Sequence, residues 1–221
     1  MVEQLIGGAI KFMEENYSEH AELFSSLANS QAPHTLFIGC SDSRVMPGLI
    51  TSTKPGELFV VRNIANIVPP YRVSDDFVAT TAAIEYALYA LGIKQIIVCG
   101  HSNCGGCAAL FYEPKKLEKT PNVKKWIKLM EPIKGQILEN CANDMAKREW
   151  LAERLNIVNS LRNLLTYPHI RDGYVSGEIK IFGWHYIIET GEIFNYDPHN
   201  DHFALLNKDY DYEKISHQLF D

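Results

Sequence analysis

The sequence contains no apolar run long enough to cross a bilayer; the apolar stretch VATTAAIEYALYAL at 78–91 is interrupted by Glu85. Its first residues, MVEQLIGGAIKF, carry Glu3, lack a basic leader and hold only a short apolar run, which argues against a secretory signal. No internal repeat and no low-complexity tract is found, so repeat arrays and linker-like chains are excluded. Excess positive charge is missing too: 21 Lys and Arg stand against 27 Asp and Glu, a net −6, so no general affinity for nucleic acid is expected. Cysteine is sparse. Five residues, an odd number in no compact disulfide framework, suggest reduced thiols and a cytoplasmic location. What remains is ordinary globular composition, 46% hydrophobic and 22% charged over 221 residues, enough for one domain with a full core.

The chain is organised around QIIVCGHSNCGGC at 95–107. Gln95 to Gly100 are mostly branched and apolar without alternation, as in a strand covered on both faces. A glycine-rich turn then carries His101, Cys104 and Cys107. TLFIGCSDSRV at 35–45 repeats the plan: an apolar strand, Gly39, then Cys40, Asp42 and Arg44.

Around these two segments the pattern is α/β. Ile6, Ile10, Met13 and Tyr17 have helical spacing, but Gly7 and Gly8 weaken that helix, so it should depend on packing against another subunit. KPGE at 54–57 turns the chain into a strand at LFVVRN. Ser74 is the expected N-cap of a helix whose face is Phe77, Thr81, Ile84, Leu88 and Leu91, with Gly92 as its stop. Thr120 and Pro121 open another helix, and Trp150, Leu151, Leu155, Val158 and Leu165 outline a third that must end before Pro168. EIKIFGWHYIIETGEIFNYD at 178–197 reads as an antiparallel hairpin turning at Thr190-Gly191. The tail beyond Pro198 shows no clear pattern. Six lysines between 115 and 128 read as the solvated side of a helix and its approach rather than an anion site.

Two cysteines and a histidine at strand carboxyl ends suit zinc, which favours four-coordinate thiolate and imidazole sites and keeps one position open when catalytic. Cys40, His101 and Cys104 supply three ligands, and no second Cys-x-x-Cys or His-x-x-Cys element closes the site. Cys104 sits where the turn enters a helix, and the helix dipole is expected to favour its thiolate. Any one of these cysteines alone would read as packing, as Cys99 and Cys141 do. Cys104-Gly-Gly-Cys107 also has the spacing of a redox pair, but such motifs sit early in a small fold without a partner such as CSDSR. Asp42 beside two thiolates could bind the metal, cap a turn, or be held ionised and turned away by Arg44, free to accept a hydrogen bond from an attacking hydroxide.

The set CSDSRV and GHSNCGGC resembles the β-class carbonic anhydrases, and the similarity continues through KPGELFVVRNIANIVPP, AAIEYAL and IFGWHYIIETG over nearly the whole chain. The resemblance implies a central, mostly parallel β-sheet with flanking helices and a C-terminal antiparallel hairpin strand. It also implies N-terminal helices that pack on a partner subunit in a homodimer or homotetramer. In outline, residues 1–30 form a helical arm, 31–200 the α/β core of a single domain and 201–221 a tail. The implied activity is reversible hydration of carbon dioxide to bicarbonate by zinc-held hydroxide, with one Zn2+ per chain and neither nucleic acid nor membrane as partner. Cys40, His101 and Cys104 map onto the zinc ligands and Asp42 with Arg44 onto the catalytic dyad. Gln31, Phe59, Ile64, Tyr86 and the backbone N–H of Gly105 map onto the substrate pocket of the plant-like, open-site subgroup, part of which comes from the neighbouring chain. A second subgroup holds a regulatory bicarbonate with a tryptophan three residues before the first zinc cysteine. Here that residue is Phe37, although Arg62 and Tyr186 are present, and no bicarbonate-driven switch is expected. Hydrolysis of carbon disulfide or carbonyl sulfide on the same zinc, and a non-catalytic zinc scaffold, are the alternatives.

Overall fold

The computed structural model describes residues 1–76, 78–141 and 144–211. In chain order, helices α1 (Val2–Lys11), α2 (Tyr17–Glu19) and α3 (Ala21–Leu27) precede strand β1 (Thr35–Cys40), helix α4 (Pro47–Thr51) and strand β2 (Leu58–Asn63). Helix α5 (Ala79–Glu85) leads to β3 (Gln95–His101), followed by α6 (Gly105–Ala108), α7 (Pro121–Ile127), α8 (Glu131–Cys141), α9 (Met145–Leu164) and α10 (Pro168–Val175). Strands β4 (Lys180–Tyr186), β5 (Ile193–Asp197) and β6 (His202–Leu205) complete the set.

The six strands form one sheet in the order β2-β1-β3-β4-β5-β6. The pairs among β2, β1, β3 and β4 are parallel, while β4–β5 and β5–β6 are antiparallel. This is the mostly parallel sheet with an antiparallel C-terminal hairpin that the sequence led us to expect. From β1 the chain moves outward to β2, and from β3 it moves the other way to β4. The carboxyl ends of β1 and β3 therefore flank a topological switch point, where open α/β sheets form their sites.

Each strand of this centre is apolar on both faces because both are covered. Leu36 and Ile38 of β1 join Ile96 and Val98 of β3 in a core with Ile157, Leu161 and Leu164 of α9. Their neighbours Phe37, Ile97 and Cys99 point into a smaller cluster with Trp184 and Tyr186 on the other face. Helix α9 lies close against the sheet at two glycines. A Cβ on Gly100 would stand 2.8 Å from Ile157 Cδ1, and one on Gly183 would stand 2.8 Å from Ile157 Cγ2 and Leu161 Cδ1. Bulk at either position would lift the helix that backs the site.

Several local expectations are corrected. Helix α5 starts at Ala79 with Val78 at the N-cap; Ser74 Oγ instead accepts the Asp76 N–H at 3.1 Å in a local turn that competes with helix. Phe77 lies outside the described residues. The stop at Gly92 agrees with its φ of +66°. Thr120 occupies the N-cap of α7, but its hydroxyl donates to the Leu117 carbonyl at 3.4 Å instead of capping. Pro168 ends one helix and, as N1, opens α10, because its missing N–H costs nothing in a first turn. Helices α8 and α10 and strand β6 had no counterpart in the sequence reading. Neither α1, α2 nor α3 contains a buried residue.

Candidate metal centre

Strand β1 delivers Cys40 at its last residue and the adjacent, parallel β3 delivers His101 at its own. Past His101 the chain turns through Asn103, at φ +56°, and reaches Cys104, the N-cap of α6. Asparagine tolerates that left-handed conformation better than most side chains. The three ligand atoms lie within 4.8 Å of one another, and all three residues are buried. The Cys40 and Cys104 sulfurs are 4.0 Å apart. Two thiolates bound tetrahedrally at about 2.3 Å from one zinc require a separation of about 3.8 Å.

The histidine is prepared in the same sense. His101 Nδ1 lies 2.9 Å from the Ser102 carbonyl, an acceptor, so this nitrogen carries the proton and donates. Nε2 is left as a bare lone pair, buried and without a hydrogen-bond partner among the described residues. Asp42 Oδ2 stands 3.8 Å from it, beyond hydrogen-bond reach. Two thiols and one orphaned imidazole nitrogen facing a common point fit a zinc-like cation.

The thiols need such a cation to ionise. A hydrogen bond with Cys104, then burial, pushes Cys40 up to about 12. Cys104 is also raised, chiefly by its contact with Cys107 and then further by burial, although the Cys40 contact opposes this. The Cys107 backbone N–H at the helix start does favour the Cys104 thiolate, as expected, but the Cys107 side chain and burial outweigh it.

Asp42 lies beside this cluster and is turned from it. Arg44 Nε donates to Asp42 Oδ1 at 2.9 Å and Nη2 to Oδ2 at 2.8 Å, while the Arg44 backbone N–H adds a 3.0 Å bond to Oδ1. That fork holds the carboxyl well below the usual carboxylate range. Arg44 Nη2 also donates to the Asn103 carbonyl at 3.0 Å, tying the two metal loops together. Arg62 donates to the carbonyls of Cys40 and Asp42 at 2.9 and 2.7 Å, which fixes the CSDSR turn from β2.

Not all the residues expected in the substrate pocket gather at this centre within one chain: Phe59 pairs with Leu36 of β1, four residues before Cys40. Phe59 of β2 and Tyr86, at the start of the π-helical stretch Tyr86–Ala90 that continues α5, stack with centroids 5.9 Å apart. Ile64 follows β2, and its carbonyl accepts the Trp126 indole N–H at 2.9 Å. Its side chain packs on Gly106, next to Gly105 at the start of α6. Gln31 is exposed in the segment ahead of β1.

Sequence reasoning missed the layer beneath. Glu153 of α9 is buried; its Oε1 accepts the Cys104 N–H at 3.0 Å and its Oε2 lies 3.1 Å from Nε2 of His185, which is fully buried. Asn156 donates to the Ala65 carbonyl at 2.6 Å. A signal was available: stepping the Leu161 and Ile157 stripe back by four lands on Glu153, a carboxylate on a core-facing helical position.

Known proteins resemble this chain in sequence and fold. A family model described as carbonic anhydrase matches residues 35–193. Carbonic anhydrase of Helicobacter pylori strain J99 is 46% identical over 217 residues, covering 96% of this chain and 98% of that protein. The Synechocystis carbonic anhydrase is 44% identical over 200 residues, covering 89% and 71%. Among solved structures, the β-carbonic anhydrase CcaA superposes with a TM-score of 0.90 at 40% identity, over 99% of this chain and 95% of that one. One of two tetrameric β-carbonic anhydrases from the ascomycete Sordaria macrospora superposes with a TM-score of 0.77 at 30% identity, over 88% and 95%. A match over most of the chain, in sequence and in fold, leads to one conclusion: this chain belongs to the carbonic anhydrase family, in its β class.

Proposed function

We propose that the protein hydrates carbon dioxide reversibly to bicarbonate and a proton, with one zinc ion per chain held by Cys40, His101 and Cys104. The observation that carries this reading is the buried cluster of two sulfurs and an orphaned imidazole nitrogen, with Asp42 drawn aside by Arg44. Bound zinc would supply the chemistry of a water made acidic near neutral pH. The protein does the rest. Asp42, kept ionised by Arg44, is an acceptor only, so it takes a hydrogen bond from the attacking oxygen and aims its lone pair at carbon dioxide. Ile64, with Phe59 and Tyr86, would offer the apolar surface that carbon dioxide needs, while the Gln31 amide and the Gly105 N–H would donate to bicarbonate, Gln31 and Phe59 completing the site across the interface from a neighbouring chain.

The same reading places the protein in the open-site subgroup. Arg62 is engaged with two backbone carbonyls, and Phe37 has no N–H to offer an anion. A ligand moves an equilibrium only through differential affinity, so no bicarbonate switch follows. We read the chain as one domain, 1–221, whose N-terminal arm packs on a second copy. Leu5, Ile6 and Met13 are more than half exposed, an apolar face that a monomer would leave in water. Tetrameric relatives support assembly as a dimer or its multiple. No described helix is long and apolar enough to cross a membrane, and all five cysteines are free thiols, in keeping with a reducing, cytoplasmic setting.

Cys40→Ser and His101→Ala test the assignment, since each removes one of three protein ligands. Both should lose zinc and nearly all carbon dioxide hydration together. Either variant retaining zinc and full rate would overturn it.

A further inference from the structure

The mechanism above makes no use of the buried pair behind Cys104. Glu153 is 3% exposed and His185 fully buried, an arrangement that is costly unless both groups are well bonded. Both carboxylate oxygens are committed: Oε1 to the Cys104 N–H at 3.0 Å and Oε2 to His185 Nε2 at 3.1 Å. His185 Nδ1 has no hydrogen-bond partner among the described residues. A proton there would be an unpaired buried donor, so the tautomer that fits carries its proton on Nε2 and donates to Glu153.

The placement of the pair ties it to the metal loop. His185 lies on β4 opposite Gly100 of β3, one residue before His101. Glu153 thus links the strand beside the histidine ligand to the backbone of the cysteine ligand. Cys104 has no side-chain cap of its own, and without Glu153 its buried N–H would lose its partner. One turn along α9, Asn156 donates to the Ala65 carbonyl and faces Cys107 Sγ at 3.9 Å, so the helix grips the same region twice.

We propose that Glu153, oriented by His185, is a positioning residue that presets Cys104 for the metal. This rests on the zinc reading given above. Partners of this kind typically carry 10–100-fold in metal affinity. Glu153→Gln keeps an oxygen for the Cys104 N–H but turns its NH2 toward His185, whose proton must then move to Nδ1, and Glu153→Ala removes the oxygen.

The test is metal binding, read without activity. Zinc affinity is measured by competition with a chromophoric chelator. The Co2+-substituted protein reports sulfur ligation through its thiolate charge-transfer and ligand-field bands. Glu153→Ala should lose about 10–100-fold in zinc affinity and shift the Co2+ bands, and Glu153→Gln, which keeps the bond to Cys104 but not the one from His185, should recover part of both. A merely structural glutamate would lower thermal stability without moving band positions. If Glu153→Ala does not fold, His185→Leu takes its place, leaving Glu153 unanchored, and should weaken zinc and shift the bands in the same direction. Wild-type zinc affinity and unshifted bands in whichever of these variants folds would overturn the proposal. Wild-type protein without thiolate–Co2+ bands would instead overturn the zinc reading, and this inference with it.

Discussion

Gly106→Ala is the sharpest mechanical test of how the metal loop is held. A Cβ at this position would stand 2.8 Å from Ala65 Cβ, 3.0 Å from Ile64 Cγ2 and 3.1 Å from Ala65 N. Ala65 cannot easily give way. It is fully buried at φ +61°, and Asn156 holds its carbonyl at 2.6 Å. Relief must come largely from α6, which would have to move by about 0.8 Å to restore ordinary carbon contact near 3.6 Å. That exceeds the roughly 0.2 Å tolerance of metal–ligand distances, and Cys104 caps this helix. Overpacking of this kind costs about 1–3 kcal/mol. At a urea slope of about 3 kcal/mol/M the unfolding midpoint should fall by about 0.3–1 M. Zinc retention against a chelator should drop by about tenfold or more, the scale of a disturbed metal surround. Gly105→Ala is the control, since no atom lies within 4 Å of its added Cβ. Equal damage from both substitutions, or none from Gly106→Ala, would refute the packing argument.

Asp42→Asn should keep zinc yet lose on the order of 10²-fold in stopped-flow hydration, because an amide can donate to the attacking oxygen and misdirect it. Arg44→Ala should be nearly as damaging and Arg44→Lys intermediate, since an ammonium cannot fork; an Asp42→Asn enzyme at full rate would make Asp42 a turn residue only. Thiols raised by folding, Cys40 to about 12, stabilise the metal-stripped protein fully below about pH 8.5 and progressively less as pH climbs from there toward about 12. Zinc-loaded protein, its thiolates already deprotonated, should keep its stability across that window; thermal melts at pH 8 and 10 in which the stripped form loses no more than the loaded form would contradict this. Sedimentation should find a dimer or a multiple of one, and a fully active monomer would count against the packing role given to the N-terminal helices.

The centre of the fold was legible because β1 and β3 are unbroken apolar runs, each ending in a glycine and then a polar turn. Period and composition there point the same way. The start of α5 was not, since Ser74 satisfies a neighbouring backbone N–H as readily in a turn as at a helix cap. Pro168 carries two meanings, stop and start, and only the tertiary context selects both. Strand β6 pairs through backbone groups against β5, which leaves little trace in side-chain pattern. The ligand trio stood out because cysteine and histidine are chemically distinctive. Glu153 and His185 did not, since each pairs with a residue 32 positions away. Phe59 and Tyr86 stack on each other within one chain, and Gln31 stays exposed, so a pocket role for them rests on the resemblance alone.

The central claim is that the cluster of Cys40, His101 and Cys104 makes the protein a zinc-dependent hydratase of carbon dioxide. The direct measurement is stopped-flow hydration on zinc-replete protein, on the same protein after chelation, and after zinc is restored. The account predicts rapid hydration with one zinc per chain, its loss on chelation and its return with zinc. Hydration that survives complete removal of the metal, or a zinc-replete protein that does not hydrate carbon dioxide, would contradict it.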